Sequence, residues 1–449
     1  MRDEEKNTPV QDVPSVGSVE DEEVALSLVA EPPNGGLRAW LQVLGAWFLF
    51  FNSWLVCPEF PRHVPRSDRN RGIVNSFGVF QAYYTNELLP NSSSSSISWI
   101  GSIQGFLLLF VGGLSGPVFD AGYFHTLITT GSFLVVFGMM MTSVGTEYYQ
   151  ILLSQGICVG LGCGCLFVPS VAIVSTYFTT HRAIALGIAT TGSSLAGIIY
   201  PIVFNSLQSK VGFPWATRAV GFIAFATLSV AVGVMRARVL PASKRALWDK
   251  SALKEPPFIL FTTGMCLSCV GIFIPFFYVP SYSLYAAPET ITPAFATYLL
   301  AILNGASTLG RILPNYIADF IGPLTTILPC ALVSAILAFS WIGITTKESI
   351  IAFCALYGFF SGSFVSLPPT VIVSMTPNLN VVGTRLGMMF TVSACGLLIG
   401  SPLAGAILGP NKTNYVGLQI FCGACVAGCA LFMGVTRGIK SGWKLTTKA

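Results

Sequence analysis

The chain has 449 residues, of which 53% are hydrophobic and only 10% charged. A soluble domain carries roughly 25% charged residues, so a water-soluble globular fold is excluded and a lipid environment is required. The formal net charge of +5 is small, and no nucleic-acid partner is expected.

Residues 1–36 form a polar head holding Asp3, Glu4, Glu5, Asp12, Glu20, Asp21, Glu22, Glu23 and Glu31. It lacks helical periodicity and is predicted to be a disordered cytosolic tail. No short apolar segment with a small-residue cleavage site follows, so insertion is assigned to the first span. That span opens at Trp40 and meets an anomaly at 55–71, where Pro58, Pro61 and Pro65 stand among Glu59, Arg62, Arg66, Asp68, Arg69 and Arg71. Each charge near the bilayer centre costs roughly 3 kcal/mol on insertion scales. Joining Trp54 directly to Gly72 restores a continuous apolar span, and 55–71 is read as translated non-coding sequence such as an unspliced intron, or else as a looped insertion.

A span needs about 20 mainly apolar residues. Runs of that kind follow near 97–117, 124–146, 149–174, 183–204 and 214–235, and again near 258–284, 294–312, 324–343, 350–374, 386–408 and 414–436. With the first span the total is twelve, an all-α membrane protein of two six-helix bundles, 37–235 and 258–436. Between them lies the basic linker 236–257, with Arg236, Arg238, Lys244, Arg245, Lys250 and Lys254. By the positive-inside rule this linker is cytosolic, and so are both termini, including the basic tail 437–449. The sequons at Asn91 and Asn411 then fall in exofacial loops as candidate glycosylation sites. A multi-pass protein of the cell membrane is expected, with a vacuolar or other endomembrane as the alternative, working as a monomer in the bilayer.

The halves echo one another. Asp120 follows span 2 and Asp319 follows span 8; Arg182 opens span 5, which contains Pro201, and Arg385 opens span 11, which contains Pro402. Such a duplication places a solute near mid-membrane between halves that rock against each other. Cys266-x-x-Cys269 and Cys422-x-x-Cys425-x-x-x-Cys429 imitate metal spacing, but His63, His125 and His181 are not near them. These cysteines, like Gly160-x-Gly162-x-Gly164, read as small residues at helix contacts, and no metal, cofactor or catalytic constellation is expected. A membrane enzyme is therefore disfavoured.

Two segments, Gly35-Gly36-Leu37-Arg38-Ala39-Trp40 and Tyr177-Phe178-x-x-His181-Arg182-Ala-x-Ala-x-Gly187-x-Ala-x-x-Gly192-Ser193, resemble the fungal monocarboxylate porters of the major facilitator superfamily. The resemblance covers everything after residue 34. It implies alternating access and a small organic solute, either a monocarboxylate-like anion or an amphipathic metabolite. A non-transporting nutrient receptor on the same fold is the alternative. Mammalian-type members carry an acid where Asn34 stands, a lysine where Asn75 stands and an Asp where Ser307 stands. Only Arg311 remains of that set, which argues against proton symport by their mechanism.

Arg311 offers a planar fork of donors for a solute carboxylate, or else pairs with Asp319 in a gate. Asp120, Arg182, Asp319 and Arg385 read as gate residues. Asn75, Gln104, Gln155, Asn304 and Tyr357, with Tyr278 and Tyr282 of the proline-broken segment 275–282, are the other candidates to face the solute. For each amide the alternative is an interhelical hydrogen bond.

Overall fold

The computed structural model describes residues 34–53, 94–237, 249–376, 381–409 and 414–441. Among these it is helical, without strands. The expectations placed on the head up to residue 33, on 55–71, on Asn75, Asn91 and Asn411, on most of the basic linker and on the tail beyond 441 lie outside the described residues.

In chain order the helices are α1 (Gly36–Ser53), α2 (Ser94–Asp120), α3 (Phe124–Thr142), α4 (Tyr148–Tyr177), α5 and α6 (together Arg182–Val234), α7 (Pro256–Ala286), α8 (Pro293–Ile321), α9 (Pro323–Gly343), α10 (Lys347–Met375), α11 (Val382–Leu408) and α12 (Tyr415–Ser441). Among the described residues ten stretches are long and apolar enough to cross a membrane; α1 and α8, as described, are outside that set. Helix α8 falls short in hydropathy because it carries Asn304, Arg311, Asn315 and Asp319 along its length.

Several ends differ from the sequence reading. Asp120 and Asp319, expected just after spans 2 and 8, sit in the last turns of α2 and α8, because the helices run on to Gly122 (φ 91°) and Gly322 (φ 98°). A left-handed residue that ends a helix is tolerated best as glycine, which has no Cβ to clash. Helices α5 and α6 are joined through Gly212 (φ 77°, ψ 171°) with almost no intervening loop. Helix α4 contains a π-helical stretch at Leu152–Val159.

Helix α7 breaks between Gly271 and Ile274, ahead of Pro275, which has no N–H to continue the hydrogen-bond ladder. The carbonyls freed there are taken up by neighbouring helices. The Tyr357 hydroxyl donates to the Ile272 carbonyl at 2.9 Å, and the Cys422 thiol to that of Gly271 at 3.4 Å. In hydrocarbon such groups must find protein partners, so the break is stable only inside the bundle.

In the first half α1 packs on α4 and on the α5–α6 pair, and α4 packs on α2 and α3; in the second, α7 packs on α11 and α12, α8 on α10, and α9 on α12. The halves meet along two seams, α2 against α11 and α5 against α8. Both seams are tight because small residues line them. A Cβ on Gly113 would lie 2.6 Å from the Gly387 carbonyl oxygen, and one on Gly187 would be 2.9 Å from the Cβ of Asn315. With lipid outside there is little hydrophobic gain from helix association, and such close approach supplies the dispersion contacts instead.

Candidate functional site

Between the halves lies a cavity whose walls come from α2 (Gly101, Ser102, Gly105, Leu109), α4 (Phe167), α5 (Ser193, Gly197), α7 (Met265 to Phe277), α8 (Asn304, Ser307, Arg311), α10 (Ser361, Phe364, Val365) and α11 (Phe390, Ser393, Leu397, Ser401). The break in α7 turns Phe273, Phe276 and Phe277 onto this space, and Phe167, Phe364 and Phe390 complete an aromatic wall. Phe167 and Phe390 meet edge to face across the midline, with centroids 4.9 Å apart. Arg311 is the one charged residue of the described lining.

Arg311 is buried, with only 6% of its surface exposed. Its Nε donates to Ser307 Oγ at 3.4 Å, one turn back on α8. Its Nη1 crosses the seam to α5, donating to the Thr190 carbonyl at 2.5 Å and to Ser193 Oγ. All of these acceptors are neutral oxygens. A cation out of water and without a counter-charge is unfavourable, so the position favours an anion.

Beyond the cavity lining a second polar link joins the halves. Asp319 reaches across from α8 and accepts from the backbone N–H groups of Ala183 at 3.0 Å and Ile184 at 3.1 Å, the first turn of α5. Arg182 interacts electrostatically with the same carboxylate and donates from Nε to the Phe178 carbonyl at 3.2 Å. In this structure the acid serves the positive end of α5, while Arg311 is bound by Thr190, Ser193 and Ser307. Asn34 (φ 48°) clamps the chain just before α5, its Oδ1 accepting from the Thr179 N–H at 2.7 Å and the Thr180 N–H at 3.1 Å.

The corresponding place in the second half is built differently. Arg385 forms ion pairs with Asp249 (2.8 Å) and Glu255 (2.7 Å), both at the end of the linker that enters α7. Burial alone would raise the Asp249 pKa, but hydrogen bonds from Ser251 and Arg385 outweigh it and hold the carboxyl below its ordinary value. Asp120 is the last residue of α2, and its side chain lies outside the described residues.

A sequence model described as the Major Facilitator Superfamily matches residues 43–346. The chain belongs to the Major Facilitator Superfamily. It is 45% identical over 405 residues to the MFS-type transporter dbaD of Emericella nidulans, covering 90% of this chain and 87% of the relative. It is 40% identical to the aspyridones efflux protein apdF of the same organism, covering 88% of this chain and 77% of the relative. Among solved structures it is similar to the E. coli fucose:proton symporter FucP, with a TM-score of 0.65 at 15% identity, covering 89% of this chain and 98% of the symporter, a likeness of fold. The protein is thus a multi-pass membrane transporter of this superfamily.

Of the expected solute-facing residues of this superfamily member, the structure brings Arg311 and Asn304 to the cavity. Asn304 donates to the Leu300 carbonyl at 3.1 Å and lies opposite Gly197 of α5. The other five described ones stand outside the lining. Gln104 is buried where α2 packs on Gly160 of α4, and Gln155 is buried in the π-helical stretch. Tyr278 is buried; Tyr282 donates to the Ile344 carbonyl and packs on Trp341 and Tyr415. Tyr357 supports Phe276 from behind, centroid to centroid 6.4 Å.

Sequence reasoning passed over Thr190 and Ser193, although Ser193 closes the motif that carries the family resemblance. It also passed over Asn52, whose amide donates to Thr227 Oγ1 at 2.8 Å and accepts from the Tyr200 hydroxyl at 2.7 Å. An asparagine within an apolar helix was the available signal.

Proposed function

We propose that this superfamily member carries an amphipathic organic anion out of the cell by alternating access. The observation that supports this best is Arg311, a single buried cation held by neutral oxygens at one end of a phenylalanine-lined cavity. A guanidinium pole attracts a carboxylate or enolate, and the aromatic wall desolvates an apolar body. A strongly hydrated small anion would gain little from that wall, so an amphipathic metabolite fits better than a simple monocarboxylate. The name of the aspyridones efflux protein agrees with export of an organic compound.

Arg311 and Asn304 are assigned to the solute, and Arg182, Asp319 and Arg385 to the gate. The positive-inside rule applied to the basic linker supports a cytosolic position for the Asp319 end, and we read the structure as the carrier closed to the cytosol. Subfamily membership among the monocarboxylate porters rests on the motifs at 35–40 and 177–193. Action as a monomer at the plasma membrane is part of the same reading.

Metabolite profiling of cells with and without the gene, in cytosol and medium, tests it. An acidic amphipathic compound should accumulate inside and fall outside when the gene is deleted. Unchanged distribution of every acidic metabolite would refute it.

A further inference from the structure

The bonds of Arg311 do more than orient a ligand group. Arg311 belongs to α8 in the second half, while Thr190 and Ser193 belong to α5 in the first, so the Nη1 contacts tie the two halves together. Ser193 Oγ itself donates to the Thr190 carbonyl at 2.9 Å, which holds the two oxygens side by side. The tie sits in the seam between Gly187, which lies against Asn315, and Gly197, which lies against Asn304. The Asp319 cap is a second polar link across the same seam, but it is outside the lining of the cavity. Arg311 and Ser193 both line it. Ser194 also donates to Ser307 Oγ across the seam at 3.4 Å, and Ser307 lines the cavity, so a solute can reach the links at Ser193 and Ser307 and not the Asp319 cap.

The guanidinium has five N–H donors. Its Nε and Nη1 engage Ser307, Thr190 and Ser193, and Nη2 has no hydrogen-bond partner among the described residues. An anion that enters finds Nη2 first. To form a two-bond match with a carboxylate it must also take Nη1 or Nε from its present partner.

We propose that the Arg311–Ser193–Thr190 contact is a brace between the halves of the empty carrier, and that the anionic group of the solute competes for it. A charged oxygen is a stronger acceptor than a hydroxyl or a carbonyl. Binding therefore draws the guanidinium towards the solute and loosens the α5–α8 seam. A ligand shifts a conformational equilibrium only by its differential affinity for the two states, and exchange of this bond supplies that difference. In this scheme Ser193 is a positioning residue that acts through Arg311, and the brace re-forms when the solute leaves. The inference rests on the assignment of Arg311 to the solute.

The test uses the full chain in detergent with sodium phenylacetate as the anionic probe and phenylacetamide as its uncharged counterpart. Binding is measured by titration calorimetry, and hydrogen exchange is followed over 186–197. Ser193→Ala removes one competitor, so phenylacetate should bind about threefold to tenfold tighter. Exchange of the empty variant should rise towards that of loaded wild type, and phenylacetamide affinity should not change. Ser193→Thr, which keeps the hydroxyl, should return both readouts to wild-type values. Equal or weaker phenylacetate binding by Ser193→Ala, with binding lost in Arg311→Ala, overturns the brace and leaves the solute site standing. Wild-type binding by Arg311→Ala, or no binding to the wild type at millimolar phenylacetate, removes the site assignment and the brace with it.

Discussion

The carboxylate of Asp319, in the last turn of α8, accepts a 3.0 Å hydrogen bond from the backbone N–H of Ala183, at the start of α5. With the second bond, from Ile184, it does for α5 what an N-cap residue does within a chain, but across the seam between the halves. The positive end of a helix and a carboxylate attract each other, so the bond holds the two halves together at this place.

Removing this cap should therefore loosen that junction. Asp319→Ala should cost the closed state about 1–2 kcal/mol, and Asp319→Asn less, because the amide oxygen still accepts. Hydrogen exchange at 183–186 should rise about tenfold in the alanine variant. Unchanged exchange in both variants would show that the cap carries no weight.

Arg311 and Asp319 hold different bonds, so their substitutions should combine independently. Arg311→Ala should abolish transport, and Arg311→Lys should be nearly as poor, because one ammonium cannot span Ser307 and Ser193 as the guanidinium does. The Arg311→Ala/Asp319→Asn pair should be additive in stability within about 0.5 kcal/mol. A larger coupling, measured at matched expression, would indicate direct pairing of the two.

Tyr357 separates a supporting role from a ligand role. Tyr357→Phe removes the donor to the Ile272 carbonyl at the break of α7 and should lower stability by about 1–3 kcal/mol. The ring that supports Phe276 remains, so the apparent KM for the solute should change less than twofold. A large rise in KM with unaltered thermal stability would put the hydroxyl in contact with the solute.

The Arg385 ion pairs should be sensitive to acid in a definite direction. The Asp249 carboxyl is held below its ordinary value, so its stabilising contribution is full above the usual carboxylate pKa of about 4 and is lost as pH falls through the depressed folded value. Between about pH 5 and 3 the wild type should lose thermal stability more steeply than Asp249→Asn, which has no such proton to gain. Parallel curves for the two would contradict the assignment.

Hydropathy alone determined the all-helical class and the order of the apolar helices, because a span in lipid must bury its own backbone within one helix. The pairing of Asp120 with Asp319 and of Arg182 with Arg385 as repeated features was legible for the same reason: they interrupt apolar runs at matching places. Arg311 and Asn304 were legible as polar residues within a span. What α8 does with Arg311 was decided by tertiary structure, since Thr190 and Ser193 lie more than a hundred residues away and reach it only where glycines let α5 and α8 approach. The same holds for the tyrosines. A polar tip within a span can face a solute or satisfy a neighbouring backbone, and nothing in local sequence distinguishes the two. The break at Pro275 frees carbonyls whose positions exist only once α7, α10 and α12 are packed, and those carbonyls, rather than the cavity, claim Tyr357 and Cys422.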